Sequence, residues 1–159
     1  MDVAARICWW HLHCDECETR VVHGDLMLEN VLLTAADGAA KVADLGFTHE
    51  RAEWGAAAAG VGASLHKTMG AAQGSPITLA PELLALLSRS DEAAATARAA
   101  AMSPRCDVFS LGVMLWELAA GRNAGDAYAA MGIISREALQ SHVAGGGRPA
   151  SPADLAASM

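Results

Sequence analysis

Aromatic residues are scarce in this 159-residue chain, at 4%: one tyrosine, two phenylalanines and four tryptophans. A core must therefore come mainly from aliphatic side chains. Although 53% of residues are hydrophobic, many are alanine, which buries little surface. The length is that of about one domain. Positive charge is also short, with 11 Lys and Arg against 18 Asp and Glu and a formal net charge of -7. With no basic run, that balance argues against a nucleic-acid partner or an anionic membrane surface. No apolar run is long enough to span a bilayer, so no membrane segment is expected. The opening MDVAARICWW lacks the basic-then-apolar order of a secretory leader. There are four cysteines, of which Cys8, Cys14 and Cys17 are bunched. Without a leader they read as reduced thiols of an intracellular, cytoplasmic protein. No internal repeat is visible.

What is present is uneven along the chain. Met1 to His13 has Val3, Ile7 and Trp10 on one side, the pattern of an amphipathic helix. Residues 14–20 form a charged connector. Val21–Val22 and Val31–Leu33 are short β-type pieces, and Asp37-Gly38 marks a hairpin turn back into a strand from Lys41 to Ala43. Residues 50–74 are rich in Ala and Gly and read as a long loop. Pro81 to Leu87 begins a helix, with Pro early where its missing N–H costs little. Residues 88–101 form an Ala-rich insert. Asp107 to Ala120 is the strongest apolar helix, closed by Gly121. Its Val108, Leu111, Leu115 and Leu118 stripe is expected in the core, as are the tryptophans and methionines. His49, His66 and His142 read as solvated loop residues. A last helix is expected from Ser151, with Pro152 early in it. The fold class expected is mainly α, α+β overall.

The stretch VVHGDLMLENVLL, Val21 to Leu33, places an Asp and an Asn inside an apolar run. Buried polar groups of that kind need partners or a task. Asp25 and Asn30 lie in a loop between two strands, and a further strand runs into Asp44-Leu45-Gly46. This brings carboxylate and amide groups to one rim. Asn30 and Asp44 are oxygen ligands of the type Mg²⁺ prefers, and Asp25 is able to accept a proton from a hydroxyl. Phosphoryl transfer requires that division of roles. A satisfied polar turn is the plain alternative for Asp25 and Asn30 taken alone.

Together, four stretches resemble the eukaryotic protein kinases. HGDLMLEN is similar to the catalytic loop H-R-D-L-K-x-x-N, and KVADLGF to the strand and D-F-G metal motif, with Leu45 for Phe. GSPITLAPE, Gly74 to Glu82, is similar to the end of the activation segment, and CDVFSLGVMLWELAAGR, Cys106 to Arg122, to the central helix of the large lobe. The late GGGRPASPADL resembles a stretch of the tyrosine-kinase-like group. The resemblance implies a protein kinase-like fold with short β-hairpins around the catalytic loop. It implies ATP and Mg²⁺ as cofactors and a protein substrate. Asp25 would be the catalytic base, and Asn30 and Asp44 would hold the metal and nucleotide. His23 would pack the loop, Asp107 would anchor it through backbone N–H groups, and Glu82 would pair with an Arg further along. Ser75 would lie at substrate docking and, with Glu29-Asn30, favours Ser/Thr over Tyr specificity.

Against that pattern, Gly24 replaces the Arg that binds an activation-loop phosphate, and Met27 replaces the Lys that stabilises the transferred phosphate. Thr78 replaces a bulky Tyr, which weakens packing of the docking loop. No Gly-rich loop or V-A-I-K lysine precedes these motifs. The expectation is a large-lobe fragment over residues 1–159, small lobe absent. Helix and connector occupy 1–20, the catalytic loop 21–33, the metal motif and activation segment 41–82, and the remaining helices 83–159. Such a chain is expected to turn over little alone. Two other readings stay open. One is a pseudokinase or scaffold acting by binding. The other is a small zinc module built on Cys8, His11, His13, Cys14 and Cys17.

Overall fold

The computed structural model describes residues 19–44, 49–52, 76–87 and 91–151. The expected helix over Met1 to His13, the Cys/His cluster, Leu45-Gly46, Ser75 and nearly all of the expected last helix lie outside the described residues. So does most of the 50–74 loop.

Among the described residues, two antiparallel strand pairs come first. β1 (Thr19–Val22) pairs with β4 (His49–Ala52), in a register that sets Val22 opposite His49. β2 (Val31–Leu33) pairs with β3 (Ala40–Val42), Val31 opposite Val42. The connecting turn between β2 and β3 is held by Thr34, whose hydroxyl donates to Asp37 and accepts from Ala39 N–H at 3.0 Å, with Gly38 at φ 66°. A left-handed residue there suits glycine, which has no Cβ to clash.

Five helices follow among the described residues: α1 (Pro81–Leu84), α2 (Glu92–Ala101), α3 (Pro104–Ala120), α4 (Ala124–Ala130) and α5 (Arg136–Ala144). Local chemistry marks their ends. The Asp91 carboxylate accepts from Ala94 N–H at 2.7 Å, Asn123 from Gly125 N–H at 2.7 Å and Ser135 from Ala138 N–H at 3.1 Å, each satisfying a donor left over at a helix start. α1 and α3 carry Pro in their first turn. Gly121 closes α3 at φ 63°, its N–H reaching the Glu117 carbonyl at 2.9 Å. α3 begins three residues before the expected Asp107, at Pro104. α4 and α5 fall within the helices expected over 83–159, though the sequence reading set no bounds for either.

The main core is Leu84, Val113, Ala124, Tyr128, Leu139 and Val143, with Ile77, Phe109 and Trp116 packed on it. A second cluster joins Val22 of β1 to Ala80, Leu83, Met102 and Cys106. A third seats Leu26 of the polar loop on Met114 of α3, with Val31 and Val42 beside them. α3 thus contributes to all three clusters. The expected core stripe is corrected except at Leu111, which packs against the Leu26–Met114 cluster. Val108 is 58% exposed, Leu115 54% and Leu118 65%, while the buried face is Cys106, Asp107, Ser110, Val113, Met114 and Glu117. The helix is apolar nearly all round, so its polar residues can be the buried ones when each finds a partner. Glu117 accepts from Ala124 N–H at 2.9 Å, and the Ser110 hydroxyl donates to the Thr78 carbonyl at 2.8 Å. Thr78 itself is buried. His142 is also corrected: it lies on α5 with its ring edge-on to Tyr128, centroids 5.7 Å apart.

Tyr128 is 1% exposed, and its hydroxyl has no hydrogen-bond partner among the described residues. A buried hydroxyl without a partner costs stability, whereas the bare ring would not. Tyr128→Phe is therefore expected to leave stability unchanged or raise it by about 1 kcal/mol, as read by urea denaturation. A loss above that size would show that the hydroxyl is satisfied.

Candidate functional site

The polar loop between β1 and β2 is built around one buried carboxylate. Asp107, in the first turn of α3 and 1% exposed, accepts from His23 N–H at 2.8 Å and from Gly24 N–H at 2.9 Å. Two backbone donors meeting one ionised acceptor make a strong, directional clamp. Gly24, at φ 79°, lets the chain turn there without a Cβ clash.

His23 continues the scaffold from within. Its ring Nδ1 accepts from Asp25 N–H at 3.3 Å, and its Nε2 lies 3.1 Å from the Ala43 carbonyl. Together these bonds require the proton on Nε2, where it donates to Ala43. The ring, 1% exposed, therefore ties Asp25 to the residue before Asp44. Leu26 anchors the other side of the turn in the α3 cluster.

Asn30 ends a single 3-10 turn, Leu28–Asn30. Its amide Nδ2 donates to the Asp25 carbonyl at 2.8 Å and to the Asp25 carboxylate at 3.2 Å. Its own carbonyl accepts from Ala43 N–H at 2.8 Å. With Nδ2 spent on Asp25, the amide oxygen is the group left for a ligand. Asp44 follows at φ 60°, the one left-handed non-glycine among the described residues. Such backbone costs about 1–3 kcal/mol and persists where surrounding structure enforces it.

Burial lifts the Asp25 carboxyl above its ordinary value of 3.8, and the charges of Asp44 and Glu29 push it the same way. The Asn30 hydrogen bond and His23 oppose that rise. A half-buried carboxyl with a raised pKa is a better proton acceptor than a solvated one. The concentration of like charge also fits a divalent cation, since Asp44 and the Asn30 amide oxygen are hard oxygen donors. No group of three or more His, Cys, Asp or Glu suited to a metal occurs among the described residues. An Asn-Asp pair falls below that count.

The sequence-expected residues Asp25, Asn30, Asp44, His23 and Asp107 are thus brought together. Glu82 is placed elsewhere, at the start of α1, where its carboxylate accepts from the Cys106 thiol at 3.6 Å. Burial raises the pKa of that thiol, so it stays protonated and can donate. Cys106 as the neighbour of Glu82 was not anticipated. Nor was the role of Ala43, whose carbonyl and N–H both brace the loop. A backbone contact of that kind leaves no side-chain signature in a sequence.

No helix among the described residues is long and apolar enough to cross a membrane. Residues 10–143 match the family model for the protein kinase domain. No curated protein and no solved structure gave a significant match.

Proposed function

The chain belongs to the protein kinase domain family, and on that premise we propose that it carries the catalytic loop of a Ser/Thr kinase of the tyrosine-kinase-like group. The reaction is transfer of the ATP γ-phosphate to a protein hydroxyl. The observation that carries this reading is the Asp25–Asn30 pair, clamped by His23 and Asp107 and set beside Asp44.

In this reading Asp25 orients the acceptor hydroxyl and takes its proton. Its raised pKa favours that step, because the carboxylate is less stabilised in place than in water. Asn30 and Asp44 would hold Mg²⁺, which supplies positive charge against the phosphates. Asn30 also holds the Asp25 carboxylate through Nδ2, so one side chain couples the base to the metal ligands. Asp107 and His23 are positioning residues. Ser75 belongs to the docking of the acceptor, and Glu82 supports the end of that segment through Cys106. Met27 offers no charge where the family usually has a Lys, so transfer is expected to be slow. That residue favours a second reading, binding without turnover.

The test is a thermal-shift titration of the chain with Mg²⁺-ATP, beside Asp44→Asn. A ligand that binds only the folded state raises the apparent melting temperature. The expected result is a rise that the variant loses, with transfer to a protein acceptor detectable by radiolabel. A shift without any transfer would select the binding reading. An unshifted, cooperative melt would overturn nucleotide binding by this chain.

A further inference from the structure

Residues 147–151 leave α5 without forming helix or strand and run back over α3. Two contacts tie them to α3. The Trp116 indole N–H donates to the Ala150 carbonyl at 3.0 Å. The Arg148 guanidinium lies 5.0 Å from the centre of the Phe109 ring, and its Nη1 donates to the Gly147 carbonyl at 2.6 Å. Ser151 is exposed.

Sequence makes this hydroxyl singular. Among all serines and threonines of the chain, Ser151 alone has an Arg three residues before it. Both Arg148 and Ser151 precede a proline, and a residue before proline is pushed out of the helical region into extended backbone. Arg148-Pro149-Ala150-Ser151 is therefore pre-set as an extended stretch with a cation at one end and a hydroxyl at the other. An enzyme that transfers phosphate to such a strand can grip the cation with carboxylates while the hydroxyl enters its active site.

We propose that Ser151 is a phosphorylation site for an arginine-directed protein kinase acting on this chain, and that its phosphate releases the 147–151 strap from α3. In the modification, Ser151 Oγ forms a bond to the γ-phosphorus of ATP as the bond to the bridging oxygen breaks. ADP leaves with that electron pair, and the hydroxyl proton passes to the base of the modifying enzyme. The product carries about -1.5 to -2 charges three residues from Arg148. A guanidinium pairs more strongly with a phosphate dianion than with an aromatic face. Arg148 therefore turns from Phe109 toward Ser151, and the Trp116–Ala150 bond loses its neighbouring support.

The test uses the full chain with Asp25→Asn as background, so that any label comes from the added enzyme. An arginine-directed kinase with Mg²⁺-ATP is expected to label Ser151, located by fragment mass spectrometry, and Ser151→Ala removes that label. Arg148→Ala should also remove it. Loosening the strap by that change would raise access, so a loss of label cannot come from unfolding. On labelling, the Trp116 indole N–H, assigned with Trp116→Phe, should exchange with solvent roughly tenfold faster. A folded chain that takes no phosphate at Ser151 overturns the site. A labelled chain whose Trp116 N–H exchanges at its former rate overturns the release.

Discussion

Asp107→Ala is expected to lower the unfolding free energy by roughly 2–6 kcal/mol, from about 1–3 kcal/mol for each buried N–H left without its acceptor. His23 and Gly24 both lose their partner at once, and the His23 N–H, buried with a carboxylate that is 1% exposed, cannot turn to water. Asp107→Asn should not rescue it. Its oxygen can serve one donor, while its NH₂ would face the other. Set against a domain stability of about 5–15 kcal/mol, the loss is large enough to unfold much of the population. The measurement is urea denaturation, with Asp126→Ala as control. Asp126 is exposed in the first turn of α4, and its removal should cost within about 0.5 kcal/mol. Equal, small losses for both variants would show that the clamp does not hold the loop.

Asp25→Asn should reduce phosphate transfer by about 10²–10⁴-fold, the usual contribution of a positioned general base. The fold should survive the change. Burial is the largest influence on the Asp25 carboxyl and raises its pKa above 3.8, outweighing the Asn30 bond that lowers it. The sign follows from linkage. A carboxyl with a raised folded pKa binds its proton more tightly when folded, so its contribution to stability is greatest at low pH. That contribution is lost as pH rises through the folded value. At neutral pH the charged group is thus a net cost, and Asn removes it. The variant should melt no lower than the parent at pH 7 and should lack the parent's fall in stability above pH 3.8. In the parent, the acid limb of transfer should lie above pH 3.8, because Asp25 must be ionised to accept a proton. Retained transfer in a folded Asp25→Asn chain would remove Asp25 from the reaction.

The loop was legible because its chemistry is local. Asp25 and Asn30 are five residues apart, and an Asp and an Asn within an apolar run demand partners whatever surrounds them. The β2–β3 turn was legible for a similar reason, since Asp37-Gly38 carries the backbone preference of a turn in its own residues. α4 and α5, whose bounds were not read from the sequence, also had local signals: Asn123 capping α4 with Asp126 in its first turn, and Ser135 capping α5 with Glu137 in its first turn. Both helices are short, with seven and nine residues. Their cohesion comes from packing Ala124, Tyr128, Leu139 and Val143 into one cluster, and this long-range burial adds to weak local preference.

The face of α3 was not legible. Apolar side chains surround the helix, so periodicity selects no side. Of the expected stripe, Val108, Leu115 and Leu118 are exposed and only Leu111 packs inward, while Asp107, Ser110 and Glu117 are buried. What decides this is where acceptors are needed. The N–H groups of His23, Gly24 and Ala124 and the hydroxyl of Ser110 all find partners on or across that face. The amino-acid sequence by itself determined the motifs, the turn and the helix ends, because caps, prolines and glycines act within a few residues. The tertiary structure decided which face of α3 is inside and raised the pKa of Asp25. It also set Cys106 beside Glu82. All three depend on residues far apart in the chain, and the cost of leaving a polar group buried without a partner arises only once the chain has closed around it.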